Sequence, residues 1–275
     1  MASIHPTALL GERVRLGEGV SIGPGAIVED DVTVGDRTVI GPRAFIGRLT
    51  EMGPDNQIGF SAVVGGDPQI LGWKPADSRT VIGARNVIRE FATIHRAKSA
   101  GEATVIGDDC FLMAVSHVAH DCRIGNHVVI CNGSLVAGHV EVGDFAFISG
   151  NCPIHQFVRI GRLAMIRGLT AVGKDVVPFT LIDQTNTVRA LNLVGLRRSA
   201  IPPASRGSIK QAYREIFRTT RPVSESLAVL ESSPVCPEVR EMIDFIRTSK
   251  RGICLARSSA LRGVGMGEDS EDDAG

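Results

Sequence analysis

From Ile4 onward the apolar positions return every six residues. The chain reads Ile4-His-Pro-Thr-Ala-Leu, Leu10-Gly-Glu-Arg-Val-Arg, Leu16-Gly-Glu-Gly-Val-Ser, Ile22-Gly-Pro-Gly-Ala-Ile, and stays in phase through Val28, Val34, Ile40, Ile46, Met52 and Ile58. The first slot of each six is aliphatic and the second is often Gly. The fifth is small: Ala8, Val14, Val20, Ala26, Val32, Thr38, Ala44. A 3.6-residue period would drift out of phase within two repeats, so the pattern is not helical. It is the hexapeptide signature of a parallel β-helix. Each six predicts one short flat side and one corner, and three sixes close a triangular coil of 18 residues. Glycine is expected at the corners, where it relieves a tight backbone.

Two segments break the phase. Gly65–Arg79, with Pro68, Trp73 and Pro75, reads as an inserted loop at about 65–80. The phase returns at Ile82 and Ile88, and a second loop is expected at 96–105. From Ile106 the sixes run through Leu112, Val118, Ile124, Ile130, Val136, Val142, Ile148, Ile154, Ile160, Ile166 and Val172. Val177-Pro178 ends the run, which places a β-helix over 1–187. Loops that interrupt a solenoid are where a specific pocket is expected. From about Val188 the texture becomes helical: Ile209, Ala212, Tyr213, Ile216 and Phe217 share one apolar face, as do Val239, Met242, Ile243 and Ile246. The expectation is an all-β parallel β-helix followed by a small α-helical C-terminal domain over 188–262. Residues 263–275, Gly-rich then acidic, read as a disordered tail.

Composition narrows the function. With 31 Gly, one Trp and one Tyr, the core must be built from small aliphatics. A net charge of zero gives no reason to expect nucleic-acid or anionic-membrane binding. No apolar run approaches the ~20 residues of a membrane span, and the N-terminus lacks the regions of a signal peptide. Six cysteines without close pairing fit a reducing compartment. Cys110, Cys122 and Cys152 fall in the small fifth slot, a packing position rather than a nucleophile's or a metal ligand's.

Candidate chemistry concentrates in Leu112–Asp121, which places His117 and His120 among repeats otherwise poor in groups that titrate near neutrality. The repeats starting at Val118, Val136 and Ile154 lie 18 apart and stack on one side of the prism. They carry His120-Asp121, Gly138-His139 and His155-Gln156. Gly138 should sit over His120 at roughly 4.8 Å, the strand spacing. If the second loop replaces part of one side, His95 joins the same edge, and five of the seven histidines gather there. Polar residues collect at any solvated corner, but a stack of imidazoles is the mark of an acid–base or metal site. His120 is the candidate general base.

The segments Thr93-Ile-His-Arg96, His117-Val-Ala-His-Asp-Cys122, Ala137-Gly-His-Val140, Ile154-His-Gln-Phe157 and Gly195-Leu-Arg-Arg198 resemble the acyl-carrier-protein-dependent UDP-N-acetylglucosamine O-acyltransferases, cytoplasmic enzymes that begin lipid A synthesis. The resemblance runs to about Ala256. It implies a left-handed β-helix and a homotrimer with active sites between subunits. It implies transfer of a 3-hydroxy fatty acyl group from the phosphopantetheine of acyl carrier protein to the sugar 3-hydroxyl, with no bound cofactor or metal. His120 matches the general base, Asp121 its partner, and the Gly138 N–H the oxyanion donor. Gln69, His95, His117, His139, His155 and Gln156 match residues that bind substrate or shape the site, and Arg197 and Arg198 the basic pair near the nucleotide phosphates. Gly168 matches the position that closes the acyl groove, where a glycine admits longer chains; Arg167 beside it is expected to point outward.

The chemistry is coherent on its own terms. A sugar hydroxyl is a weak nucleophile, and a base with a pKa near 7 is typically worth about 10²–10⁴-fold. A fixed N–H on the tetrahedral oxyanion is worth roughly 3 kcal/mol. Between Arg189 and Arg221 there are eight basic residues and one acidic residue, and Arg206, Lys210, Arg214 and Arg218 recur every four. On a helix they form one stripe, suited to an acidic carrier protein. In the first loop, Ile70 and Gly72 stand where the family has acidic and basic sugar-nucleotide contacts, with Lys74 two positions on. Asp183-Gln184 stands at a Gly-Asn contact. These departures leave room for a different nucleotide-sugar acceptor. A trimeric carbonic anhydrase with His117, His120 and His139 on zinc is a second alternative, and a catalytically silent paralogue a third.

Overall fold

The structure, a computed structural model, describes residues 1–256. The tail read at 263–275, and the end of the expected helical domain at 257–262, lie outside the described residues. Three sheets of 11, 8 and 8 strands, parallel throughout except at the last strand of the first, form the faces of a triangular prism. Successive coils pair in strict register: on the first face Leu112 pairs with Ile130, Ile130 with Ile148, and Ile148 with Ile166. The first-slot aliphatics point inward, and Ile22, Ile40, Ile46, Ile88, Ile130 and Ile148 are fully buried, each worth about 1.5–3 kcal/mol. Small fifth-slot residues such as Ala26, Ala44, Cys122 and Val140 fill the corners from inside.

The corners differ from the expectation that glycine relieves their backbone. The left-handed residue of each turn is in the fourth slot and is mostly not glycine: Arg43 has φ 54° and Asp109 has φ 57°. The second-slot glycine serves another purpose. A Cβ added to Gly41 would stand 2.6 Å from the Ile58 carbonyl oxygen of the next coil. Glycine is required there because adjacent coils touch through their backbones. The fourth-slot side chains instead pair between coils, as in Arg37–Asp55 and Arg85–Asp109.

The two loops keep the phase because each inserts whole sixes. Gln57 pairs with Val87, 30 positions on, and Val87 with Phe111, 24 on, where an uninterrupted coil would give 18. Both leave the second face and return to the third, the first between Val63–Gly66 and Arg79–Ile82, the second between Thr93–His95 and Ala103–Ile106. They therefore emerge at one corner, the corner that follows Val118 and carries His120.

The change of texture at Val188 is a strand, not a helix. Val188–Leu191 runs antiparallel to Thr180–Ile182 and extends the first sheet, so β structure passes beyond 187. It covers the edge that the last parallel strand would otherwise leave open. The helices are α1 (Leu193–Arg198), α2 (Pro203–Phe217), α3 (Val223–Glu231) and α4 (Pro237–Arg247). Asn192 caps α1, accepting from the Gly195 N–H at 2.9 Å, and donates to the Leu163 carbonyl, tying the helix to the prism. The apolar faces read for α2 and α4 are buried except for Ile246, which is half-buried. Arg159 anchors α4 to the third face, donating to the Phe245 carbonyl at 2.7 Å with its guanidinium over that ring. Residues 252–254 return to the prism, where Cys254 N–H donates to the Asp175 carbonyl. Among the described residues no helix is long and apolar enough to cross a membrane.

Candidate active site

The corner after Val118 gathers the candidate groups. His120 is 8% exposed, and its Nδ1 lies 2.6 Å from Asp121 Oδ2. Asp121 occupies the left-handed fourth slot, φ 61°, which turns its carboxylate back alongside the preceding imidazole. Its backbone N–H donates to Thr104 Oγ1 at 2.8 Å. The Lys98 N–H approaches the carboxylate oxygens at 3.3 and 3.4 Å, and His139 Nε2 stands 3.6 Å from Oδ2. A proton on Nδ1 shared with the carboxylate leaves Nε2 with its lone pair, the state a general base requires.

Gly138 is where counting by coils puts it. A Cβ there would come within 2.7 Å of His120 Nε2 and 2.6 Å of Cε1, so the imidazole lies against the glycine backbone. At the same slot elsewhere, the N–H of Glu12, Glu18, Asp108 and Asn126 is met by the side-chain Oδ1 of an Asp or Asn one coil on. The Gly138 N–H has no such acceptor among the described residues. A donor beside the base with no acceptor of its own is suited to a developing oxyanion.

Four of the five histidines expected on this edge form two edge-to-face pairs. His95 and His117 meet edge-to-face at 4.7 Å, His120 and His139 at 5.2 Å, and His139 stacks on Phe157 at 4.6 Å. His117 Nδ1 is 2.7 Å from Thr93 Oγ1. Burial, reinforced by His117 and His120, pushes the His95 imidazole down to about 4. Burial and His120 lower His117; burial lowers His139 against the opposing pull of Asp121. In all three the neutral imidazole is favoured, a form that can both donate and accept hydrogen bonds. The fifth, His155, is exposed and turns to the C-terminal segment, with Nδ1 3.2 Å from Arg251 Nη2. Gln156 takes the slot above Gly138 and is exposed.

The remaining candidates lie apart within one chain. Gln69 and Lys74 are exposed on the first loop, and Arg197 and Arg198 are exposed in the last turn of α1. Gly168 sits at a different corner, between the first and second faces, and Arg167 turns away from it to Asp183 at 3.0 Å. The basic stripe is only partly open. Arg206 donates to the Ile201 carbonyl, and Arg218 to the Arg189 carbonyl and the Tyr213 hydroxyl, which leaves Lys210 and Arg214 outward. Thr104, Lys98 and Arg251 were not visible in the repeat pattern, but Phe157, 18 residues after His139, follows from the same stacking.

A metal would find His120, Asp121 and His139, whose donor atoms lie within 4.8 Å of one another. The trio His117, His120 and His139 does not form such a group, because His117 turns to Thr93. Burial pushes the Cys110 thiol up to about 11 and that of Cys122 up to about 12, consistent with packing. A cavity of about 520 Å³ flanks the dyad, lined in part by Lys98, Asp121, Arg123, His139 and Phe157.

Comparison with known proteins bears on the chain as a whole. Residues 2–48 and 103–138 match the bacterial transferase hexapeptide family, and residues 175–254 match the second domain of the UDP-N-acetylglucosamine O-acyltransferases. An acyl-[acyl-carrier-protein]–UDP-N-acetylglucosamine O-acyltransferase of Synechocystis is 43% identical over 201 residues, 73% of each chain. One from Burkholderia lata is 39% identical over 210 residues, covering 74% of this chain and 80% of that one. The solved UDP-N-acetylglucosamine acyltransferase of Campylobacter jejuni superposes with a TM-score of 0.87 at 39% identity, covering 93% of this chain and all of that one. The Francisella novicida enzyme gives 0.88 at 30%, covering 97% and 100%. The fold is the left-handed parallel β-helix with a helical C-terminal part. The chain belongs to the acyl-[acyl-carrier-protein]–UDP-N-acetylglucosamine O-acyltransferase family.

Proposed function

We propose that this protein transfers a 3-hydroxy fatty acyl group from the phosphopantetheine thioester of acyl carrier protein to the 3-hydroxyl of UDP-N-acetylglucosamine, the first step of lipid A biosynthesis. The observation that carries it is the His120–Asp121 pair at 2.6 Å with the imidazole against Gly138. His120 Nε2 takes the proton of the sugar hydroxyl as its oxygen attacks the thioester carbonyl. The Gly138 N–H donates to the oxyanion. The tetrahedral intermediate collapses with loss of the pantetheine thiolate, which recovers the proton from the imidazolium. Asp121 holds the imidazole in the productive tautomer and stabilises its charged form. His95, His117 and His139 hydrogen-bond the acceptor as neutral groups. Gln69, His155, Gln156, Arg197 and Arg198 complete its site, the two arginines at the phosphates.

The working unit is a homotrimer with sites between subunits. Supporting this, the second face and the corner before it expose Leu9, Ile27, Phe91, Val115, Leu135 and Leu169, an apolar strip of the kind that marks an interface. No cofactor is held, because the acyl group arrives on its carrier. Six unpaired cysteines support a cytoplasmic setting. The test is turnover of a 3-hydroxyacyl carrier-protein thioester against a panel of UDP-sugars, with wild type and His120→Ala. UDP-N-acetylglucosamine should be the best acceptor, and the variant should lose at least ~10²-fold in kcat while remaining folded. A variant that keeps more than a tenth of the activity removes His120 as the base, and a clear preference for another sugar nucleotide replaces the acceptor.

A further inference from the structure

The two loops at the catalytic corner are fastened to each other, and the fastening ends on the base's carboxylate. Trp73, the one tryptophan of the chain, donates its indole N–H to the Lys98 carbonyl at 2.8 Å. Lys98 in turn directs its own N–H at both oxygens of Asp121. Beneath the indole, 5.2 Å from the ring, lies the guanidinium of Arg96, whose side chain is 5% exposed. Arg96 pairs through Nη2 with Asp67 of the first loop at 2.6 Å, and its Nε and Nη1 find no acceptor among the described residues. A buried cation with two unmet donors is costly unless an aromatic face and an ion pair hold it, and the first loop supplies both. Backbone bonds complete the fastening: Arg96 N–H to the Gly66 carbonyl and Gly101 N–H to the Asp77 carbonyl. The second loop thus hangs from the first.

We infer that Trp73 is a positioning residue: through the Lys98 peptide it sets the Asp121 carboxylate, and through that the His120 imidazole. The inference rests on the reading of His120 and Asp121 as base and partner. Its consequence concerns specificity. The loop that carries Trp73 also carries Gln69 and Lys74, the residues placed to meet the acceptor. Contact of the acceptor with that loop and alignment of the base are then one event, so a poorly fitting sugar nucleotide loses kcat as well as affinity.

Trp73→Phe keeps an aromatic face over Arg96 and removes only the indole donor. In the full-length trimer we expect kcat to fall about five- to tenfold, the loss of one aligned hydrogen bond, with KM for the acceptor within about twofold of wild type. Wild-type kcat, or a change confined to acceptor KM, would overturn the inference. His120→Ala measured alongside separates the two levels. If it is inactive while Trp73→Phe is wild type, only the role of Trp73 falls; if it is active, the base assignment falls first. Should Trp73→Phe fail to fold, Asp67→Asn releases the same loop from Arg96, and it must show the same fall in kcat with acceptor KM held for the inference to stand.

Discussion

Asp121 is a residue whose backbone decides its chemistry. Nearly every corner has a left-handed residue in its fourth slot, and Asp accepts that conformation more readily than bulky or β-branched side chains. The same turn that closes the coil therefore presents a carboxylate to the imidazole one residue earlier. Gly138 is constrained by that imidazole rather than by its own φ. Gly138→Ala would press a methyl group into the His120 ring, displacing it from the line of attack. A misplacement near 1 Å costs on the order of 10²-fold, so kcat should fall by about that factor with little change in melting temperature. An Ala variant with wild-type kcat would mean that the ring has room the geometry denies. The stack of His120 under Gly138 was legible from counting by 18, because a coil repeat is a rigid translation. The orientation of His155 was not, since its partner Arg251 lies 96 residues away and no local period connects them.

At the scale of elements, the sixes located both loops and every face, because aliphatic inward positions leave no alternative register. The strand at Val188–Leu191 escaped the same reading because a single closing strand has no repeat to announce it. In α2 the apolar face was legible and the charged one only in part. Spacing by four brings Arg206, Lys210, Arg214 and Arg218 to one side, but Arg206 and Arg218 spend their donors on the ends of the helix and the strand beside it. An acidic carrier protein should therefore feel chiefly Lys210 and Arg214. Reversing both (Lys210→Glu with Arg214→Glu) is expected to raise KM for the acyl-carrier substrate about tenfold and flatten its salt dependence, with kcat at saturation unchanged. The check is steady-state kinetics at several ionic strengths, and kinetics that follow wild type at every salt concentration would leave the stripe without a carrier role.

At the scale of the whole molecule, Gly168 and His120 lie at different corners of one prism, so a single chain cannot place both on the same acyl group. A neighbouring subunit in the proposed threefold assembly would, which links the chain-length reading to that assembly. A Cβ at Gly168 would meet only the Gly150 carbonyl, at 3.5 Å, so Gly168→Met should keep the fold and, on the proposed assignment, extend into the acyl groove. Its donor preference should move to shorter acyl chains, measured as kcat/KM across a series of thioesters; a uniform loss at all lengths would count against the groove. Three strand pairings separate the coil of His120 from that of Gly168 on the first face, Leu112 to Ile130 to Ile148 to Ile166, an axial distance of about 14 Å at the spacing of neighbouring strands. In the proposed trimer, with the prism axes parallel, that height difference survives whichever corners face each other. The coil pitch therefore acts as the graduation of a measuring stick. Evolution can lengthen the stick only by whole marks of about 4.8 Å, and the side chain at 168 subdivides the last of them.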